Sequence, residues 1–404
     1  MCNYHTPIEY VSNNRCFRRD AKDVQELNCL GQIANETSYG VQILSGATLN
    51  TAKEMCMKKR NVFVLGLLFM AIIASLSACV TLQSAFAAPA EPESKATLWI
   101  NGVPQILNET YSRANSVFVY GSDVYVVGYI WEEEENGARA TLWVNGVPQT
   151  LSDTESWASD IHVSGDDVFV AGSVGPPRGR QATVWVNGIA QTLSHANSSA
   201  ASVFVYGNNV YVVGTVARVT GTALERVGSN RATLWINGVP QTLSNVQSFG
   251  QSVFVSSNDV YVVGSENVGQ GGRAMLWTNG ASRILSHPQS SGQSMFVSGN
   301  DVYVAGSVFV PQQGFSRATL WVNGTSQTLN DTESGASSVF VSGSNIYVAG
   351  WELYRGAEGG SGRAVLWVNG VPQILNMESW FESEASSVFV SGSNIYVAGV
   401  IARW

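Results

Sequence analysis

The chain has 404 residues, 40 of them Gly, with 45% hydrophobic residues, 13% charged residues and a formal net charge of −8. Low charge and abundant Gly with this apolar fraction point to a turn-rich β protein and exclude a disordered or mainly helical chain. Beyond residue 78 acidic residues outnumber basic ones and Lys95 is the sole lysine. That is the wrong sign for a phosphate-backbone binder, so no nucleic acid partner is expected.

In chain order, the first landmark is MKKRNVFVLGLLFMAIIASLSAC at 57–79. Lys58, Lys59 and Arg60 form a positive n-region, and Val62 to Ala74 an apolar h-region ending in small residues. This pattern reads as a secretory signal, too short and wrongly flanked for a stable span. Its end, Leu76-Ser77-Ala78-Cys79, resembles the bacterial lipobox. That resemblance implies lipidation of Cys79, a membrane contact through the lipid, and a place in the bacterial cell envelope, at the outer membrane or cell surface. The alternatives are cleavage after Ala85-Phe86-Ala87, giving a secreted or periplasmic protein, and an uncleaved helix anchor. Signals begin translated chains, so Met57 reads as the start and residues 1–56 as a mis-called or disordered extension. Cys2, Cys16, Cys29 and Cys56 match no zinc-ligand spacing. Residues 80–95 are small, Pro-containing and aperiodic, and read as a tether.

From Ala96 onward one motif recurs seven times. RATLWVNGVPQTL, at 139–151, has counterparts around Trp99, Trp143, Trp185, Trp235, Trp277, Trp321 and Trp367. Between them lies a second motif, SVFVYGSDVYVVG at 116–128, whose copies end at Gly172, Gly214, Gly264, Gly306, Gly350 and Gly399. Each repeat thus holds four short runs alternating with period two and rich in β-branched and aromatic residues, the mark of strands. Asn-Gly pairs supply the positive φ of tight hairpin turns. Pro104, Pro148, Pro240 and Pro372 follow those turns, which places that strand at a sheet edge.

Four-stranded units repeating every 42 to 50 residues are the signature of propeller blades. The SVFV–DVYVAG half resembles NHL-type and YVTN-type propeller repeats. This resemblance implies that SVFV is innermost, DVYVAG second, RATLWVNG third and the Pro-Gln-Thr-Leu run outermost. The domain opens on a lone Trp hairpin (96–107) and closes on a lone DVYVAG hairpin (387–399). The expected fold is therefore an all-β, seven-bladed β-propeller spanning 96–404, its last blade shared between the chain ends. An eighth irregular blade and an open β solenoid are the alternatives.

On this strand order the loops joining second to third strands share one face with the crossings between blades. They vary freely, as in YIWEEEENGA (129–138) and WELYRGAEGGSG (351–362), and variable loops on a repeated scaffold are where recognition sits. Trp131, Trp157, Trp351, Tyr354 and Trp380 break the repeat pattern at loop level, as does Trp404, and are candidates for stacking on a sugar or packing on a protein. The acidic run Glu132 to Glu135 reads as a solvated face, or as a site for a cation or basic partner. The seven strand Trp residues read as core.

One inner strand departs from its siblings. Where others read Ser-Val-Phe-Val, the second repeat reads Asp160-Ile161-His162-Val163. Asp160 and His162 share a strand face, and a carboxylate beside an imidazole could orient it as a base, so they are the catalytic candidates. A buried pair satisfying itself is the plainer reading. His195 and His287 occupy equivalent crossings, where other repeats carry Glu109, Asp153, Asn245, Asp331 and Met377. Ligands spread around a seven-bladed mouth stand too far apart for one ion, so no metal or cofactor is expected. No phosphate loop, His-Glu-x-x-His or Gly-x-Ser-x-Gly is present. The expected function is a monomeric, exported, lipid-anchored propeller that binds a protein or glycan partner. A sugar-polymer lyase or hydrolase using Asp160 and His162, and a passive spacer, are the alternatives.

Overall fold

The computed structural model describes residues 93–404 other than 133–136, 178, 196, 218, 221–222, 225–229, 268, 270, 287–288, 357–358, 376–380 and 404. Cys79, Glu133 to Glu135, His287, Met377, Trp380 and Trp404 lie outside the described residues.

Seven four-stranded antiparallel sheets form a β-propeller. In the first blade the order from axis to rim is Ser112–Tyr120, Asp123–Glu132, Gly137–Val144 and Val147–Thr150. Blades two to six repeat it over 156–192, 198–242, 248–284, 290–328 and 334–374. The seventh takes its two inner strands, Phe381–Ser391 and Asn394–Arg403, from the end of the chain. Its two outer strands, Glu93–Ile100 and Val103–Ile106, come from the start of the domain. Thr97 stands opposite Gly399 and Trp99 opposite Val397, which is the clasp that the two incomplete end hairpins require.

Seven apolar clusters, one per seam between blades, close the ring. Each strand Trp is fully buried and inserts against the blade before it. Trp185 of the second blade packs on Val127, Ala140 and Leu142 of the first. Trp143 of the first blade packs on Ala96, Leu98, Tyr396 and Ala398 of the seventh, so the clasp blade forms a seam like the others. None of the seven indole N–H groups has a hydrogen-bond acceptor. That penalty of about 1–3 kcal/mol each is outweighed by burying an entire indole, which costs roughly 3–5 kcal/mol to truncate.

Polar atoms of the repeat lock the same seams. A Ser at or near the start of each inner strand accepts the backbone N–H of an Ala in the preceding blade, as Ser156 does from Ala140 at 2.9 Å; the contact recurs in every blade. Asn-Gly turns do more than reverse the chain. Asn145 sits at φ 51 and Gly146 at φ 82, while the Asn145 carboxamide accepts from Val124 N at 2.9 Å and donates to Asp123 Oδ1 at 2.8 Å. One side chain that both donates and accepts ties the two hairpins of a blade together, which is why Asn and not Asp holds the position.

Each inner strand carries a β-bulge, in the first blade between Ala114 and Ser116. The bulge presses the inner backbone onto the second strand. A Cβ at Gly128 would fall 1.9 Å from Arg113 O, and at Gly214 2.0 Å from Ser199 O. The Gly ending every DVYVAG copy is therefore a steric necessity of the bulge.

Candidate functional site: the mouth of the central channel

The inner strands start at the variable-loop face, so their residues descend the central channel in tiers. The residue that follows the seam Ser of each inner strand makes the first tier, and here the repeat breaks: Arg113, Trp157, Phe249, Gly335 and Glu384 share it with two serines. Bulge residues follow, among them Asn115, Ser159, Gln293, Ser337 and Ser386, lifted out of the ladder by the extra residue. Below them six blades place a Ser and the second blade places Asp160. Deeper still six blades place a Phe and the second blade places His162.

This deeper tier is a closed aromatic collar. Phe118, His162, Phe204, Phe254, Phe296, Phe340 and Phe389 succeed one another with centroids 4.6–5.1 Å apart and planes inclined at 40–54°. Sevenfold rotation alone would incline neighbours by about 51°, so the rings stand along the axis like vanes. A regular heptagon of that spacing has its vertices about 5.5 Å from the axis, within ordinary tilted-ring contact geometry. Carbon edges about 1.4 Å further in, with van der Waals radii of about 1.7 Å, leave a hole roughly 2–3 Å in radius.

His162 is a member of that collar, its ring 5.0 Å from Phe118 and 4.6 Å from Phe204. Burial drops its pKa from 6.5 to about 4. Asp160 belongs to a different network. Its carboxylate accepts from Ser116 Oγ at 2.8 Å and from Val203 N at 3.1 Å. Burial raises its pKa above the ordinary 3.8, against the lowering effect of hydrogen bonds from Ser202, Ser116, Val203 and Ile161. The shared face expected from sequence is present, but no hydrogen bond joins carboxylate to imidazole. The acid–base pairing is not formed: Asp160 is turned sideways into two seams and His162 is stacked between rings.

A cavity of about 460 Å³ opens in the upper tiers and draws on the first, fifth, sixth and seventh blades. Arg113 and Glu384 pair across the clasp seam at 2.8 Å, and Arg113 Nη2 also donates to Ser386 Oγ at 3.3 Å. Trp351 forms part of the wall. Its indole lies across Gly335, where a Cβ would fall 2.7 Å from Nε1.

The other aromatic candidates are dispersed. Trp157 is in the first tier of the second blade, beneath the Arg180 guanidinium at 3.5 Å; burial lowers the Arg180 pKa, with Glu155 opposing. Trp131 makes an edge contact with Tyr111 at 6.2 Å. Tyr354 is exposed and stacks with Arg363 at 4.7 Å. Only Trp351 of these four lines the cavity. His195 is exposed in its crossing, and no three metal-ligating side chains cluster among the described residues. Sequence reading missed Arg113, Asn115, Gln293 and Glu384. A signal was present: period-two alternation slips by one residue at Ala114-Asn115-Ser116 and at Gly292-Gln293-Ser294, the imprint of a bulge that lifts the middle residue from the ladder.

No protein-family profile and no curated protein matches the chain. Solved structures do. An acylaminoacyl peptidase from Pyrococcus horikoshii is similar at 13% identity and a TM-score of 0.47, over 73% of this chain and 51% of that one. The β-propeller domain of the Trilobed protease from Pyrococcus furiosus is similar at 11% identity and a TM-score of 0.45, over 71% and 89%. A putative TolB from Agrobacterium tumefaciens is similar at 9% identity and a TM-score of 0.40, over 77% and 99%. The chain thus spans about half the length of the peptidase.

Proposed function

We propose that this chain is an exported, lipid-anchored binding protein of the bacterial envelope that holds a protein or glycan partner on its variable-loop face. The observation that carries the reading is the cavity of about 460 Å³ at the channel mouth on that face, within the range of small-molecule sites. It lies in the upper tiers, where the seven repeats differ most in chemistry, while the seams around it are near copies. Binding is favoured over catalysis because the two residues able to form an acid–base pair, Asp160 and His162, serve separate packing networks. Signal, lipobox and Cys79 support export and anchoring from the sequence alone.

Two experiments test this. The full chain in detergent is presented to a glycan array and to fractionated envelope proteins. Binding lost in Trp351→Ala and kept in Ile189→Ser, on the opposite hairpin face, supports the reading; the reverse pattern refutes it. Palmitate labelling is expected in the wild type and lost in Cys79→Ser, whereas label retained in the variant refutes the anchor.

A further inference from the structure

We propose that the channel-mouth cavity takes a neutral sugar ring of an oligosaccharide, laid against Trp351 and hydrogen-bonded by the bulge residues. This rests on the binding-face reading above and names the ligand class for it.

Three features of the cavity select that class. Charge is the first. Among the described residues of the wall, Arg113 and Glu384 are the only charged ones, and they neutralise one another at 2.8 Å. An anionic ligand would meet Glu384 and a cationic one Arg113, so a neutral ligand fits with the pair intact.

The second feature is the platform. Trp351 stands where sibling blades carry Tyr129, Ser173, Thr215, Ser265, Ser307 and Val400. Gly335, its partner across the ladder, is the only Gly in the first tier and clears the space over which the indole lies. Large aromatic and missing side chain occur together in one blade, so the ring is set inward by a matched pair of residues. An indole offers an apolar face to the C–H side of a pyranose and burial energy without charge.

The third feature is the rim. Asn115 donates one of its two N–H groups to Ala158 O at 2.7 Å, which fixes the carboxamide and leaves its oxygen as an acceptor. Gln293 is held by Ser291 Oγ at 3.2 Å and keeps its oxygen likewise. Ser337 and Ser386 add hydroxyls that donate and accept. Amides and hydroxyls in both senses around one aromatic wall match a polyol. Among the described residues of the wall Ala336 is the sole aliphatic one, so apart from the indole the wall is polar and offers no enclosed apolar pocket for a peptide side chain.

The test uses the full chain in detergent, titrated calorimetrically with cellotetraose, maltotetraose and chitotetraose, with tetragalacturonate as the anionic probe and an uncharged hexapeptide as the peptide probe. At least one neutral tetrasaccharide is expected to bind, with little change between low and high salt because no net charge is neutralised. Trp351→Ala should weaken it at least about tenfold, ~1.4 kcal/mol, and Gly335→Val should do the same by displacing the indole. Trp351→Phe should stay within a few fold, and Gln293→Ala, at an exposed position, should weaken binding with the melting temperature unchanged, while Asn115→Ala should weaken binding and also lower the melting temperature by removing the seam hydrogen bond to Ala158 O. Trp157→Ala and Tyr354→Ala should not matter.

Preference for tetragalacturonate, or peptide binding lost in Trp351→Ala, would overturn the sugar class and leave the binding face standing. Saccharide binding that survives Trp351→Ala but fails in Trp157→Ala would overturn the cavity and spare the face. Capture of an envelope protein through the face with no saccharide bound would also overturn the sugar class alone. No binding of any kind would overturn both.

Discussion

Ser116 Oγ donates to Asp160 Oδ1 across the seam between the first two blades at 2.8 Å. In other blades the equivalent place is a Ser whose oxygen accepts one backbone N–H from the next blade, as Ser202 does from Val253 at 3.3 Å. Asp160 does that work toward Val203 and accepts the Ser116 hydroxyl as well. A carboxylate has replaced a hydroxyl without vacating its structural post.

Asp160→Ser should therefore restore the sibling arrangement with little change in stability at neutral pH. Asp160→Ala should cost about 1–3 kcal/mol by stranding the Val203 N–H and the Ser116 hydroxyl. The pH dependence has a definite sign. A raised native pKa means that the folded protein holds this proton more tightly than the unfolded chain, so stability is lost as pH climbs above 3.8 through the native value. Melting curves across that range should show Asp160→Ser lacking this decline; an identical slope in both proteins would count against it.

His162 works in the opposite direction. Its native pKa of about 4 lies below the ordinary 6.5 because of burial, so the unfolded chain takes up a proton that the collar refuses. Stability should fall as pH drops from 6.5 toward 4, by at most about 3 kcal/mol. His162→Phe completes the set of seven Phe and should flatten acid sensitivity in that window, measured by denaturant midpoint at each pH. Acid sensitivity unchanged in the variant would show that the imidazole is already accommodated as a cation.

Gly214→Ala tests the bulge. Its Cβ would fall 2.0 Å from Ser199 O and 2.9 Å from Ala200 Cα, both backbone, so nothing soft can yield. A loss of several kcal/mol is expected, at the exceptional end for single substitutions. Gly207, in a turn at φ +59 with open space around it, should accept Asn with a small loss. Comparable melting temperatures for the two variants would remove the steric argument.

Trp99→Ala and Trp235→Ala each delete one seam indole and should each cost roughly 3–5 kcal/mol. Their consequences should differ. Trp235 is held in a blade continuous in sequence, whereas Trp99 sits on the strand that joins the chain ends. Small-angle scattering under mildly destabilising conditions should show Trp99→Ala opening to a larger radius before it unfolds. Coincident opening in both variants would mean that the clasp is no weaker than the other seams.

What the sequence made legible was what repeats. Seven Trp, seven Asn-Gly or equivalent turns and period-two runs led to the blades, their strand order and the shared seventh blade, because each feature is dictated locally and confirmed by its copies. The channel was harder to read. Asp160 and His162 stand out as departures, but whether two residues on one strand face each other depends on neighbouring blades that sequence spacing does not encode. Ser116 and Phe118 on one side, with Ser202 and Phe204 on the other, claim them separately. Arg113 and Glu384 lie far apart in the chain and meet only because the ring closes. Trp351 was visible as an outlier; its partnership with Gly335 needed the ladder register.

The vane-like collar has a consequence for anything held above it. An opening of roughly 2–3 Å in radius lets single water molecules slip past but stops a pyranose. Solvent displaced by an incoming guest can drain through the far side of the disc, while the guest itself must back out the way it came. The central shaft is thus a strainer and not a conduit.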